Sequence, residues 1–325
     1  MPLRIPKLLR PVAEIAKWGI RQLVRYRLDH WPLSANAASY WAEKFKKWPA
    51  IFNPTPYRRL VEITPGITVQ AGLVDIIQRS LITEGEWDRK VLLALRSLLS
   101  PGNTFIDVGA NIGYFSLIAS ALVGDEGRVV ALEPSLRALT QITDNIARNG
   151  VKNVLLLSVA AGSKLNLMTL HQTTVANIGA SSLRDLTDSV GFEHVAVYTL
   201  DELIEPLKLS PDVIKIDVEG FEFDVLSGAE QILRRYHPSV LCEVTVDWMR
   251  GRDQRPNDLF TFMEALGYRA YTIEFSDTLR LTVVSDFSRR DAKFQEEICF
   301  IHPDRSSLVH TLGLATSRNA VGVNP

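Results

Sequence analysis

The sequence predicts a doubly wound α/β fold, in which helices cover both faces of a mostly parallel sheet. From residue 104 onward, short apolar runs alternate with segments of helical period, and this order is typical of parallel sheets. The inner runs are largely continuous, as strands buried on both faces require. The composition, with 46% apolar and 22% charged residues among 325, is that of a globular protein and excludes disordered, collagen-like and disulfide-stapled classes.

The elements of this fold follow in chain order. Residues 67–69 and 75–77 are predicted to form a hairpin, and residues 87–99 a helix that Ser100-Pro101-Gly102 ends. No helical pattern separates the last two predicted strands, so we expect them to pair antiparallel. The predicted strands of the main sheet are 104–108, 128–132, 153–159, 213–217, 239–244, 268–273 and 297–301, and the predicted helices are 113–122, 135–149, 221–235 and 257–266.

Two stretches interrupt the alternation. Residues 163–200 are predicted as a β-rich excursion and residues 274–296 as a polar loop. We expect segments 163–197, 245–256 and 274–296 to shape the substrate pocket, because loops at the edge of such a sheet carry the variable binding groups.

The chain is predicted to comprise a helical, basic and amphipathic N-terminal extension (1–65), a main domain (66–305) and a poorly ordered tail (306–325). Residues 1–31 carry a net charge of +5, against −6 for the rest. Such a helix packs on its own domain, packs on a partner subunit of a homo-oligomer, or lies on an anionic membrane surface. No stretch approaches the ~18 apolar residues of a membrane span, and charges interrupt the N-terminus where a signal peptide is apolar. A cytoplasmic or membrane-associated location is expected.

The net charge and the two cysteines give information on the partner class and on the redox compartment. The 36 basic and 37 acidic residues nearly cancel, which gives no support for a nucleic-acid partner. Cys242 and Cys299 lie in apolar runs that predict buried strands. Buried thiols of this kind are usually inert packing in a reducing compartment.

The segment 105–114 predicts a strand, a tight turn and the start of a helix. Gly109 and Gly113 remove side chains where a ligand must approach the backbone. Asn111 stands where a dinucleotide fingerprint needs its second glycine, so that pattern fails. Asp107 suits a cation better than a pyrophosphate. S-adenosylmethionine carries an ammonium, a sulfonium and no phosphate, and we expect Asp107 and this turn to hold its methionine moiety.

A second acid supports the same ligand. Glu133 ends the next predicted strand, twenty residues after Gly113, where a carboxylate can accept hydrogen bonds from both ribose hydroxyls. Dehydrogenases place an acid likewise, but together with the failed dinucleotide pattern Glu133 favours S-adenosylmethionine. Backbone near Ala160, after the third strand, is expected to border the adenine.

Charged residues mark a second loop. Lys215, Asp217 and Glu219 alternate along one predicted strand and its exit, so their side chains are expected to point to one side. They are interpreted either as a structural lysine–carboxylate network or as catalytic groups at the ligand-binding edge of the sheet. Glu243 ends the following strand and is a further candidate.

These motifs resemble those of the FkbM-type methyltransferases. The resemblance is carried by residues 105–115, 214–220 and 225–229, more loosely by 84–88, and covers roughly residues 70–270. It implies the class I methyltransferase sheet, with seven strands of which one is reversed. It also implies O-methylation of hydroxyls on sugars and secondary metabolites, with S-adenosylmethionine as the methyl donor.

Within this resemblance, the acceptor needs a base. Asp217 and Glu219 are the first candidates for the base and its orienting partner, and Glu243 is the third. His171 and His194, in the predicted excursion, are weaker candidates, because lone histidines are more often ordinary surface residues. The three carboxylates could also hold Mg²⁺, but no spacing in the sequence demands a metal, and a metal-free site is expected.

The predicted function is an S-adenosylmethionine-dependent O-methyltransferase acting on a hydroxyl of a sugar, glycan or secondary metabolite. Two alternatives are open. An NAD-dependent sugar oxidoreductase would share the sheet and the acid at Glu133, although the three-glycine pattern is absent. A methyltransferase-like domain without activity could instead scaffold a glycan-assembly complex through the basic N-terminal helix.

Overall fold

A computed structural model of the chain describes residues 58–173, 179, 181–184, 189–245, 256–275, 279–284 and 295–305. These residues divide into two units, 58–61 with 70–87 and 62–69 with 88–305. The predictions for residues 1–31 and for the tail from residue 306 lie outside the described residues. Among the helices within these ranges, none combines the length and apolar character of a membrane span.

Two elements near the start differ from their predictions. Strands β1 (Arg58–Thr64) and β2 (Ile67–Gly72) form a two-stranded sheet, although the first of them falls in the predicted helical extension. The segment predicted as the second hairpin strand begins helix α1 (Ile76–Glu84) instead. The carboxylate of Asp75 accepts a 3.0 Å hydrogen bond from the N–H of Gln78, which is the N-cap interaction that starts a helix.

The alternation predicted from residue 104 onward is present. The strands are β3 (Thr104–Val108), β4 (Arg128–Leu132), β5 (Val154–Leu157), β6 (Ala160–Ala161), β7 (Asn166–Gln172), β8 (Gly191–Tyr198), β9 (Val213–Ile216), β10 (Ser239–Thr245), β11 (Arg269–Phe275), β12 (Leu279–Val283) and β13 (Gln295–Ile301). The helices are α2 (Arg89–Leu98), α3 (Tyr114–Val123), α4 (Leu136–Asn149), α5 (Leu200–Ile204), α6 (Glu222–Ser227), α7 (Glu230–Tyr236) and α8 (Pro256–Ala265).

The main sheet confirms the doubly wound class but not the strand count. In the part of the chain that the structure describes, it has eight strands in the order β5-β4-β3-β9-β10-β13-β11-β12. Strands β5, β4, β3, β9 and β10 pair in parallel, and β13 runs antiparallel to both β10 and β11, as predicted for the last two strands. The implied seven strands with one reversed become eight with two reversed, because β12 lies in the predicted polar loop and pairs antiparallel with β11.

The two faces of this sheet differ in chemistry. One face packs against α5, α6, α7 and α8 and forms an apolar core, with Ile106, Ile214 and Val240 fully buried. The register sets Asp107 beside Lys215 and Glu243 beside Glu297. Because side chains alternate between faces along a strand, these charged residues all lie on the opposite face. The class I arrangement thus has an apolar face and a face with a charged stripe.

The predicted excursion is confirmed as a β-rich insertion. Strands β6, β8 and β7 form a three-stranded sheet in that order. The single helix predicted over 221–235 is wrong, since α6 and α7 are separated at Gly228. A Cβ at Gly228 would lie 2.0 Å from the carbonyl oxygen of Gly162. The break therefore lets the helix pair and the excursion meet backbone to backbone.

Gly228→Ala is expected to lower the free energy of unfolding by about 1–3 kcal/mol, because a methyl group forced against backbone overpacks the core. Denaturant unfolding measures this change. Gly191→Ala is the matched control, since its Cβ would meet only the flexible end of Gln172, at 3.1 Å. Equal stability of the two variants would contradict the proposed close contact.

Candidate active site

Both loops singled out in the sequence lie at one edge of the main sheet. Strands β3 and β9 are parallel neighbours, so the turn that follows Val108 and the turn that follows Ile216 emerge side by side. Strand β10 ends next to them and carries Glu243. In open α/β sheets, ligands bind outside these carboxyl ends. The fold thus brings the two loops and the end of β10 to a single candidate site.

Two glycines of the first loop make contacts that leave no room for a Cβ atom. Gly109 has φ +83° and Gly113 has φ +84°. A Cβ at Gly109 would lie 1.9 Å from the carbonyl oxygen of Asp217, and one at Gly113 would lie 2.6 Å from the side chain of Ile142. The glycines therefore serve packing between the two loops and against α4, in addition to the ligand approach expected from the sequence.

Glu133 ties β4 to the first loop. Its Oε2 accepts a 2.7 Å hydrogen bond from the N–H of Asn111, and its Oε1 accepts a 2.8 Å bond from the N–H of Ser135. Burial raises the pKa of Glu133 to about 7, against the lowering effect of these two N–H groups. Each carboxylate oxygen has two acceptor positions, so Glu133 can still accept from the hydroxyls of a ribose.

Asp107 and Lys215 form a buried ion pair beneath the loop. The Oδ2 of Asp107 accepts a 2.6 Å hydrogen bond from Ser116, and its Oδ1 lies 4.0 Å from the Nζ of Lys215. Nζ also donates to Asp217 at 3.2 Å and lies 5.1 Å from the ring centroid of Phe115. Burial alone would lower the pKa of Lys215, but Asp217 and Asp107 outweigh it and hold that pKa above its ordinary value.

Two buried acceptors near this loop have no hydrogen-bond partner among the described residues. These atoms are Oδ1 of Asp107 and Oδ1 of Asn111. An unsatisfied buried acceptor costs about 1–3 kcal/mol. A cationic donor such as the ammonium of S-adenosylmethionine would supply the missing hydrogen bonds. The first loop thus fits the ligand that the sequence predicts for it.

Three carboxylates converge at the ends of β9 and β10. One oxygen each from Asp217, Glu219 and Glu243 lie within 4.8 Å of one another, and all three residues are half-buried. Burial, then Asp217 and Glu243, raise the pKa of Glu219 to about 9, while burial and then Asp217 raise the pKa of Glu243 to about 8. The ionised form of each of these two carboxyls is therefore a stronger base than an ordinary carboxylate.

The same oxygens are close enough to share one divalent cation. Acidic groups converge in this way in many sites that hold no metal, so the sequence-based prediction of a metal-free site stays a prediction. His237, His302 and Asp304 form a second group of this kind at the opposite edge of the sheet. There the two imidazole rings stack with centroids 3.6 Å apart, and their Nδ1 atoms lie 2.8 and 3.5 Å from Oδ2 of Asp304.

Two acids near this site, Asp88 and Glu297, were not among the site residues predicted from the sequence. Asp88 caps α2 through a 3.2 Å bond from the N–H of Val91, and burial raises its pKa. Glu297 lies opposite Glu243 in β13, and burial and then Asp88 hold its pKa well above the ordinary value. The sequence signal for Glu297 would have been its position two residues before Cys299 in the same predicted strand. Side chains two residues apart in a strand lie on the same face, which here is the charged face of the sheet.

The remaining predicted residues lie in the excursion. His194 is exposed on β8, with its Nδ1 3.5 Å from the hydroxyl of Thr169. His171 bridges to Ser182 through backbone hydrogen bonds. Ala160 is buried in β6 and pairs with Val197. Its expected contact with adenine stays a prediction.

Comparison with known proteins identifies a relative of similar sequence. The hexuronic acid methyltransferase AglP of Haloferax volcanii is 29% identical over 168 residues, which are 51% of this chain and 65% of that protein. The chain therefore spans just under two thirds of that relative's length.

Two solved structures resemble the chain with low TM-scores. The FkbM methyltransferase of Methylobacillus flagellatus has a TM-score of 0.40 and 16% identity, over 63% of this chain and 47% of that one. Fibrillarin of Aeropyrum pernix, in complex with S-adenosyl-L-methionine, has a TM-score of 0.37 and 14% identity, over 65% of this chain and 74% of that one.

The family match is the decisive comparison. The Methyltransferase FkbM domain matches residues 107–270, which make up half of the chain. The match begins at Asp107 in the first loop and extends to β11, so it includes Glu133, Asp217, Glu219 and Glu243. The chain therefore belongs to the FkbM methyltransferase family.

Proposed function

We propose that this protein transfers the methyl group of S-adenosylmethionine to a hydroxyl oxygen of a sugar. The observation that carries the proposal is the convergence of Asp217, Glu219 and Glu243 beside a glycine loop with unsatisfied acceptors. The relative from Haloferax volcanii, a hexuronic acid methyltransferase, supports a sugar acceptor and makes uronic-acid glycans the first class to test.

The residues of the first loop fit the donor. Asp107 and Asn111 each have an Oδ1 atom without a hydrogen-bond partner among the described residues, which a cationic group could bond, and Glu133 has acceptor positions left for the ribose. When bound there, S-adenosylmethionine supplies an electrophilic methyl carbon on a sulfonium. Holding donor and acceptor in line can contribute ~7 kcal/mol or more to lowering the barrier.

The second loop would handle the proton of the acceptor. As the new O–C bond forms and the C–S bond breaks, the hydroxyl proton has to leave. An ionised carboxylate of Glu219 or Asp217 within hydrogen-bond reach would take it, and such a base typically contributes ~100-fold or more. Glu243 would orient its neighbours, since its own Oε1 accepts a 2.6 Å bond from Gln295.

Membership of a methyltransferase family favours methyl transfer over the NAD-dependent oxidoreductase that the sequence left open. The inactive scaffold is a second outcome to test. The full set of acids at the motif positions supports an active enzyme, because a scaffold has no need of buried carboxylates with raised pKa.

A labelled-donor assay tests the proposed reaction. The full chain is incubated with S-adenosylmethionine labelled in its methyl group and with oligosaccharides ending in glucuronic or galacturonic acid, or in the matching neutral hexose. Alkali-stable label on the sugar is expected, because methyl ethers resist alkali and methyl esters do not. Alkali-labile label would move the reaction to a carboxylate oxygen, and donor binding without any transfer over the panel would favour the scaffold.

Glu133→Ala is expected to weaken S-adenosylmethionine binding by about 10- to 100-fold, because a buried group loses its hydrogen-bond partner. Isothermal titration calorimetry measures the affinity. Glu133→Gln keeps an acceptor for one N–H of the loop and should lose less. Wild-type affinity in the alanine variant would remove Glu133 from the ribose site.

Asp217→Asn and Glu219→Gln are expected to lower kcat by about 100-fold or more, since each removes a candidate base or its partner. Donor affinity should change far less, because neither residue belongs to the first loop. Steady-state kinetics and calorimetry separate the two effects. Normal turnover in either variant would clear that residue of a catalytic role.

The rate of methyl transfer is expected to rise with pH. The pKa values of Glu219 and Glu243 are raised to about 9 and about 8, and only the ionised form can accept a proton. Below these values kcat should increase by about tenfold per pH unit, and Glu219→Gln should remove the upper part of the rise. A flat profile between about pH 7 and 9, with the protein folded throughout, would contradict a base of this kind.

A further inference from the structure

One peptide plane in the second loop is held at both of its polar edges. The carbonyl oxygen of Glu219 accepts hydrogen bonds from Oγ of Ser182 and from Nε of Arg184, each of 2.8 Å. The N–H of Gly220, which belongs to the same peptide plane, donates a 2.8 Å bond to Oε1 of Glu222. The plane cannot rotate without breaking bonds to three side chains.

This peptide plane follows a residue in an unfavourable conformation. Glu219 has φ +55° and Gly220 has φ +102°. A side chain with a Cβ rarely adopts the left-handed region, and such a conformation persists only where the surrounding structure enforces it. The bonds to both edges of the plane provide that enforcement, and so they fix the backbone from which the Glu219 side chain extends.

The groups that hold the plane come from two separate elements. Glu222 is the first residue of α6 and is 1% exposed, and Ser182, in the excursion, is also 1% exposed. Ser182 is in turn fixed by two backbone bonds to His171, of 2.8 and 3.1 Å. The N–H of Arg184 donates to Oγ of Ser182 at 3.2 Å. The clamp thus joins the excursion, which was predicted to shape the acceptor pocket, to the loop that carries Glu219.

We infer that Glu222, together with Ser182 and Arg184, positions Glu219 for catalysis by clamping the peptide plane that follows it. Glu222 is a positioning residue, because its carboxylate bonds to backbone rather than to reacting atoms. The inference rests on the proposed role of Glu219. A displacement of about 1 Å in a reacting group can cost about 100-fold in rate, which sets the size of the expected effect.

The test compares Glu222→Ala with Glu222→Gln. Alanine removes the acceptor for Gly220, whereas glutamine keeps a carbonyl oxygen that can replace it. With a glucuronic-acid-terminated disaccharide as acceptor, Glu222→Ala is expected to lower kcat by about 100-fold with donor Kd within about twofold of wild type. Glu222→Gln should recover most of the loss. Recovery no better than with alanine would overturn the positioning role.

A matched control separates positioning from stability. Glu202 also accepts a backbone bond, of 3.0 Å from the N–H of Thr199, in the capping box of α5. Glu202→Ala removes the same kind of carboxylate–backbone bond at an exposed position outside the site and should leave kcat of the folded protein unchanged. If Glu222→Ala does not fold, Ser182→Ala takes its place, with a smaller loss of about 10-fold expected because Arg184 still holds the carbonyl.

A second readout needs no acceptor. In protein labelled with ¹⁵N-glycine, the amide proton of Gly220 should resonate downfield because it is bonded to a carboxylate. The signal should move upfield in Glu222→Ala and not in Glu202→Ala, and an unmoved signal would overturn the clamp. Glu219→Gln is measured alongside in the kinetic assay. Full activity of Glu219→Gln would contradict the proposed role of Glu219 as a base. If Glu219→Gln loses activity but Glu222→Ala keeps the wild-type kcat, only the positioning role of Glu222 is contradicted.

Discussion

The two halves of the candidate site depend on the buried ammonium of Lys215. Its Nζ lies 3.2 Å from Asp217 and 4.0 Å from Asp107, so one cation joins the end of β9 to the end of β3. Removing one partner of a buried ion pair typically costs about 3–5 kcal/mol, because the other charge is left uncompensated. The structural network and the proposed catalytic site, which the sequence presented as alternatives, therefore share the same residues. Lys215 stabilises the sheet edge and in doing so holds Asp217 beside the loop that follows β3.

Direct backbone contact also joins the two loops of the site. The 1.9 Å approach that a Cβ at Gly109 would make to the carbonyl of Asp217 shows that the two loops touch without side chains between them. Glu133 holds the first loop from the side of β4 through the N–H of Asn111. A site built in this way keeps its geometry because its supports are strand ends and backbone bonds, which move less than long side chains.

The sequence predicted the parts of this fold that local pattern determines. Strands β3 and β4 have the predicted bounds, because a buried parallel strand is a plain apolar run. The edge strand β12 was missed, because its five residues lie within a stretch that is polar as a whole, and its pairing with β11 is not visible in one sequence. The break at Gly228 was missed because its cause is the carbonyl of Gly162, distant in sequence. Asp107, Asp217 and Glu219 were predicted as site residues from their places at strand ends. Glu297 was not, because its place beside Glu243 follows from a strand register that one sequence does not show.

The charges of the site also bear on which oxygen of an acceptor would react. Asp88, Asp217, Glu219, Glu243 and Glu297 all belong to one polar region, and their mutual repulsion is part of the reason that several of their pKa values are raised. A sulfonium donor placed near these groups would favour their ionised forms, whereas a sugar carboxylate placed among them would disfavour those forms and raise the pKa values further. A sugar hydroxyl is neutral until its proton leaves, and the carboxylates can accept that proton. On electrostatic grounds, therefore, a uronic-acid acceptor should present a ring hydroxyl to these acids and keep its own carboxylate away from them.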